Sequence, residues 1–160
     1  MGTSSIYTHL WKGFLTMAFI DLMKEKARQD KQTIVLPESE DKRTLTAAAQ
    51  ILKEGTADLI LIGNEEKIMD SAKWLEVDLT GVTVVDPEND PKFAHYAETL
   101  YELRKNKGMT PEKAQETLKN DYITYGVMMV KEKDADGLVA GACHACLLYT
   151  SDAADEGLGV

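Results

Sequence analysis

The chain has 160 residues, 44% hydrophobic and 28% charged, with a net charge of -9 at pH 7 and an isoelectric point near 4.8. That length buries one core and hardly two. So acidic a chain lacks the clustered lysines and arginines on which phosphate-backbone affinity is built, which excludes nucleic acid as an expected partner. No apolar run approaches a membrane span, and no uninterrupted apolar segment with a small-residue cleavage site opens the chain. The expected compartment is therefore the cytoplasm, with no membrane contact.

Residues 1–16, MGTSSIYTHLWKGFLT, carry no period and read as a non-native leader. Lys12-Gly13 can be encoded as AAGGA, a bacterial ribosome-binding site a few codons before Met17, the expected true start. From there AFIDLMKEKARQ places Phe19, Ile20, Met23 and Ala27 on one face of an amphipathic helix.

Thr33 to Leu52, TIVLPESEDKRTLTAAAQIL, is the most informative segment. Ile34, Val35 and Leu36 form a short buried strand stopped by Pro37, and Leu45, Ala48, Ala49 and Leu52 recur at helical spacing, with Thr44 near the helix start. The acidic loop between them puts Glu38, Asp41 and Arg43 at the carboxyl end of a strand, where ligands of open α/β sheets sit. Those charges serve either as a ligand cluster or as a solvated loop.

DLILI, Asp58 to Ile62, is a second strand closed by Gly63-Asn64, followed by a helix through about Trp74. Val82 to Val85 is a third strand, closed by Asp86-Pro87. A helix from Phe93 to Asn106 ends in cations and Gly108; Thr110 caps another, with Pro111 in its first turn. Asp121 to Lys131 is an apolar helix containing the small Gly126, and Asp136 to Gly141 a further strand running into a glycine turn. Short apolar runs alternating with helices give a parallel sheet.

Two more places carry candidate chemistry. Arg104, with Lys105 and Lys107, crowds cations at a helix end: either they complement the helix dipole or they receive a phosphate, which arginine binds bidentately. Gly141, Ala142, Cys143 and His144 form a small-residue turn at a strand end, where backbone N–H groups approach an anion and His144 adds a donor. Cys143 has no recognisable paired base, so a nucleophilic role is unsupported. No G-x-G-x-x-G follows a strand, no Gly-Lys-Ser/Thr loop occurs, and His9, His95 and His144 lack metal-site spacing, so no metal is expected.

The blocks LPESEDKRTLTAAAQIL, ADLILIGN, VDPENDP, YELRKNKGMTPEKAQE, YGVMMVK and DADGLVAGACHA occur in order at natural spacing. Together they resemble the amino-terminal part of the phosphate acetyltransferase family over residues 17–145. The resemblance implies a three-layer α/β/α parallel-sheet domain of the isocitrate/isopropylmalate dehydrogenase-like kind, truncated before its second domain. It implies transfer of an acetyl group between acetyl phosphate and coenzyme A, with coenzyme A as substrate, no prosthetic group, and a homodimeric parent. Arg104 and Arg43 match family arginines that meet substrate or coenzyme A anions, and Gly141 to His144 match the start of a substrate loop. The family's catalytic serine and aspartate lie beyond Ala145, so this chain is expected to be inactive. Phosphate butyryltransferase and a non-catalytic acetyl-CoA-sensing module are the alternatives on the same resemblance.

CLLYTSDAADE, Cys146 to Glu156, back-translates to a string resembling a sequencing-library adapter, so residues 146–160 read as an artefactual tail and the Cys143/Cys146 spacing as an accident.

Overall fold

A computed structural model describes residues 19–143. The expected leader, His144, Cys146 and the adapter-like tail lie outside the described residues.

Four strands, β1 (Thr33–Leu36), β2 (Asp58–Ile62), β3 (Thr83–Val85) and β4 (Gly137–Leu138), form one sheet in the order β3-β2-β1-β4. Every pairing is parallel; Thr33 sits opposite Asp58, Ile34 opposite Gly137 and Ile60 opposite Thr83. The connections are helical: α2 (Lys42–Glu54), α3 (Glu65–Trp74), then α4 (Phe93–Arg104), α5 (Pro111–Asn120) and α6 (Tyr122–Lys131) between β3 and β4. Residues 19–29 form a preceding helix, α1.

Strand side chains alternate between two cores because successive Cβ atoms point to opposite faces. Val35, Ile60 and Ile62 pack with Tyr96, Leu100, Leu118, Tyr125 and Met129 of α4 to α6. Leu36, Leu59 and Leu61 pack with Leu45, Ala48, Ile68 and Ala72 of α2 and α3. The sheet is thus covered on both sides, the α/β/α layering expected, and each buried aliphatic contributes about 1.5–3 kcal/mol. Helix starts follow from local chemistry: Asp41, Asn64, Thr110 and Asp121 each accept a backbone N–H from the first turn they precede.

Three details differ from the sequence reading. The last strand is only Gly137–Leu138; the Val139 N–H still reaches the Val35 carbonyl at 3.0 Å, but Gly141, at φ 116°, turns the backbone away. Helix α4 stops at Arg104, and Lys105–Lys107 tighten into a 3₁₀ turn closed by Gly108 at φ 80°. The helix 19–29 forms, yet Phe19, Ile20 and Met23 remain 60, 45 and 38% exposed. Its docking is polar instead: Lys24 pairs with Glu54 at 2.9 Å and Arg28 donates to the Glu54 carbonyl at 2.9 Å, and among the described residues Phe19, Ile20 and Met23 join neither core. Among the described residues no helix is long and apolar enough to cross a membrane, and no His/Cys/Asp/Glu group could hold a metal.

Candidate functional site

The carboxyl ends of β1, β2 and β4 are stitched into one crest. Pro37, buried, brings no N–H to the sheet at the point where β1 stops. The next residues then turn: the Asp41 N–H donates to the Glu38 carbonyl at 3.1 Å, and the Ser39 hydroxyl donates to the Ile62 carbonyl at the end of β2. Gly63 follows there at φ 142°, a backbone conformation that favours glycine, and a β-carbon would in addition stand 3.0 Å from Ser39 Oγ.

Glu38 is the centre of this crest. Only 8% exposed, its carboxylate accepts the N–H groups of Gly141 at 2.7 Å and Ala142 at 2.6 Å on Oε2, and of Cys143 at 2.9 Å on Oε1. The turn after β4 is therefore an anion-binding nest, as its composition suggests, but the anion it holds is the chain's own carboxylate. A substrate anion cannot use those three N–H groups while Glu38 does.

Arg43 sits beside it at the start of α2. Nε donates to Asp41 Oδ1 at 3.0 Å and Nη2 to Asp41 Oδ2 at 2.7 Å, a bidentate fork; Nη2 also donates to the Ala142 carbonyl. The Nε hydrogen and both Nη2 hydrogens are thus engaged, and Nη1, on a side chain 69% exposed, has no acceptor among the described residues. Asp41 also accepts the Arg43 backbone N–H at 2.7 Å and the Cys143 thiol at 3.2 Å. Donation from the Arg43 side chain, then its backbone, then Cys143 holds the Asp41 carboxyl well below the usual carboxylate range. The same contact with Asp41, followed by burial, pushes the Cys143 thiol up, so the exposed cysteine stays protonated and is a poor nucleophile.

Arg43, Gly141, Ala142 and Cys143 are accordingly brought together. Arg104 is not linked to them: it is exposed at the end of α4, and its side chain makes no hydrogen bond or ion pair among the described residues. Its neighbour Lys105 is spent on Glu102 at 2.5 Å. Sequence reasoning missed the roles of Glu38 and Ser39. The available signal was a Glu placed immediately after Pro at a strand end, a charge that the fold must satisfy as soon as a neighbouring strand ends beside it.

A groove of about 790 Å³ opens beside the crest, flanked by Asp41, Arg43, Leu45, Asp70 and Trp74. Trp74 is 77% exposed there.

The family model described as phosphate acetyl/butaryl transferase matches residues 18–153. The chain is 52% identical over 129 residues to a phosphate acetyltransferase of Acetivibrio thermocellus, and 53% identical over 129 residues to one of Thermoanaerobacterium thermosaccharolyticum; each alignment takes in 81% of this chain and 38% of the relative. Among solved structures it is similar to a phosphotransacetylase from Staphylococcus aureus (TM-score 0.72, 36% identity, 81% of this chain and 38% of that one). A phosphotransacetylase from Streptococcus pyogenes gives a TM-score of 0.74 at 32% identity, over 81% and 39% of the two chains. The chain thus spans 38% of the length of these curated relatives.

Proposed function

Because the chain belongs to the phosphate acetyl/butaryl transferase family, we propose that it forms one wall of a site where an acetyl group passes between acetyl phosphate and coenzyme A. The observation that carries this reading is the identity of 52% with a phosphate acetyltransferase across the segment that builds the Glu38–Asp41–Arg43 crest.

In that reaction the coenzyme A thiol gives up its proton to a base, the sulfur attacks the acetyl carbonyl carbon, and the carbon–oxygen bond to phosphate breaks, releasing phosphate. The substrates are anions at every stage, which suits a cation fixed at a strand end. Arg43 contributes the Nη1 edge of a guanidinium whose other donors are already committed, so its charge is held in place before substrate arrives. Arg104 contributes a second, exposed cation from the end of α4. Coenzyme A is a substrate here, and no prosthetic group is required.

The crest does not supply the base. Asp41 is held ionised by Arg43 well below the usual range, which makes it a weak proton acceptor, and Glu38 is occupied by three N–H groups. This chain therefore binds anions without performing the transfer, and the parent, a homodimer on this reading, completes the site with further residues.

The purified chain, assayed with acetyl phosphate and coenzyme A, is expected to form no acetyl-CoA while binding coenzyme A in a calorimetric titration. Turnover by the chain overturns the assignment of chemistry to other residues; absence of coenzyme A binding overturns the anion-binding wall.

A further inference from the structure

We propose that Glu38 is a positioning residue for Arg43, acting through the peptide group that joins Ala142 to Cys143. The inference rests on reading Arg43 as a substrate-anion contact, but the geometry is independent of that reading.

A carboxylate only 8% exposed is costly unless hydrogen-bonded. Glu38 is hydrogen-bonded by three successive N–H groups of one turn, so the turn is fixed to the β1–α2 loop rather than to its own strand. The third of these, the Cys143 N–H, belongs to the same planar peptide unit as the Ala142 carbonyl. In a trans peptide the N–H and C=O point in opposite directions. With the Cys143 N–H aimed at Glu38 Oε1, the Ala142 carbonyl is aimed away from Glu38, and that is where Arg43 Nη2 donates to it.

The guanidinium then has two restraints, the Asp41 carboxylate on one side and the Ala142 carbonyl on the other. Asp41 alone sets the plane of the fork. The carbonyl takes the second Nη2 hydrogen and removes the freedom of that fork to swing, leaving Nη1 pointing in one direction. Glu38 acts on Arg43 by holding the peptide plane between them, in addition to the attraction of its charge for the guanidinium. The Ser39 bond to Ile62 and the Asp41 N–H bond to the Glu38 carbonyl anchor the loop from which Glu38 does so.

The test is amide exchange and side-chain NMR on the ¹⁵N-labelled full chain, in which Arg43 is one of three arginines, Arg28 and Arg104 being the others. In the wild type, the Ala142 and Cys143 amides are expected to be protected although neither pairs in the sheet. In Glu38→Gln their exchange is expected to rise roughly tenfold or more, the loss of hydrogen bonds to a charged acceptor. The Arg43 Nε–H resonance is expected to shift with it, while the amides of Leu59 to Ile62 keep their protection. Glu38→Asp, which keeps the charge one methylene shorter, moves both signals less and provides the second variant should the amide variant fail to fold.

Freed loop amides with an unmoved Arg43 resonance overturn the proposal, as do unprotected Ala142 and Cys143 amides in the wild type. Inorganic phosphate affinity is titrated separately: if the wild type fails to bind while the Arg43 signal follows Glu38, positioning is supported and the anion-binding reading is what fails.

Discussion

Gly126 of α6 and Leu138 of β4 meet so closely that a β-carbon on the glycine would stand 2.5 Å from Leu138 Cδ1. The same atom would be 3.0 Å from Val35 Cγ1 and 3.2 Å from Ile62 Cδ1, both on fully buried side chains. Helix α6 thus lies so close to the sheet that any side chain at this position requires Leu138 and Val35 to give way. Gly126→Ala gains about 1 kcal/mol of helix propensity but pushes on Leu138, Val35 and Ile62, overpacking at about 1–3 kcal/mol. A lower urea midpoint is expected; an equal or higher one shows that Leu138 yields.

Asp121 closes α5 and opens α6, accepting the N–H groups of Ile123 at 3.0 Å and Thr124 at 3.1 Å and the Thr124 hydroxyl at 2.5 Å. Asp121→Ala is expected to reduce stability by about 1 kcal/mol, as for loss of an N-cap. Asp121→Asn, which retains an acceptor, is expected to recover most of that loss in the same denaturation series.

Tyr96 and Tyr125 are fully buried and cross edge to face with centroids 5.3 Å apart; each donates its hydroxyl at 2.5 Å to a carboxylate, Asp134 and Asp90 respectively. Burial, then the carboxylate partner, pushes both phenols above the ordinary 10.0. A folded pKa above the unfolded one means a contribution fully present below pH 10 and lost as pH rises beyond it. An ultraviolet titration is expected to leave these two of the six tyrosines un-ionised near pH 10, released only as near-ultraviolet dichroism collapses. Smooth ionisation of all six in the folded chain contradicts this.

On the acid side the sign reverses. Asp41 is lowered chiefly by Arg43, Glu54 by Lys24 and Asp134 by Lys92, from ordinary values of 3.8, 4.5 and 3.8. Groups with depressed folded values contribute stability above their unfolded pKa and lose it as pH falls through the folded one. The denaturation midpoint is expected to change little from pH 7 to about 5 and to fall below about 4.5. A midpoint that rises on acidification excludes these pairs as contributors.

Arg43→Lys tests whether charge or shape matters at the crest. An ammonium cannot span Asp41 and the Ala142 carbonyl while presenting a further fixed edge, so lysine is expected to weaken phosphate binding nearly as much as Arg43→Ala, by about tenfold. Wild-type affinity in the lysine variant points to simple charge attraction.

Much of this architecture follows from local pattern. Leu59 to Ile62 and Ile34 to Leu36 are apolar runs too short for helices, and Thr110-Pro111 marks a helix start by chemistry confined to one turn. Such signals need no knowledge of distant residues, so element type and order and a parallel sheet were legible in the chain itself, while the two covering layers were what the family resemblance implied. The anion-friendly character of Gly141 to Cys143 was legible for the same reason, being a property of successive backbone N–H groups.

What fills that nest was not legible. Glu38 and Ala142 are separated by 104 positions, and nothing in either segment says that β4 pairs beside β1 and not beside β3. Strand order alone brings the acidic loop and the glycine turn to the same edge, converting an exposed-looking Glu into a buried hydrogen-bond acceptor and Arg43 into a clamped fork. The apolar face of the helix 19–29 makes the converse point: periodicity specifies which residues share a face, while only tertiary packing supplies the surface that covers it, because burial is a property of two partners and sequence pattern describes one.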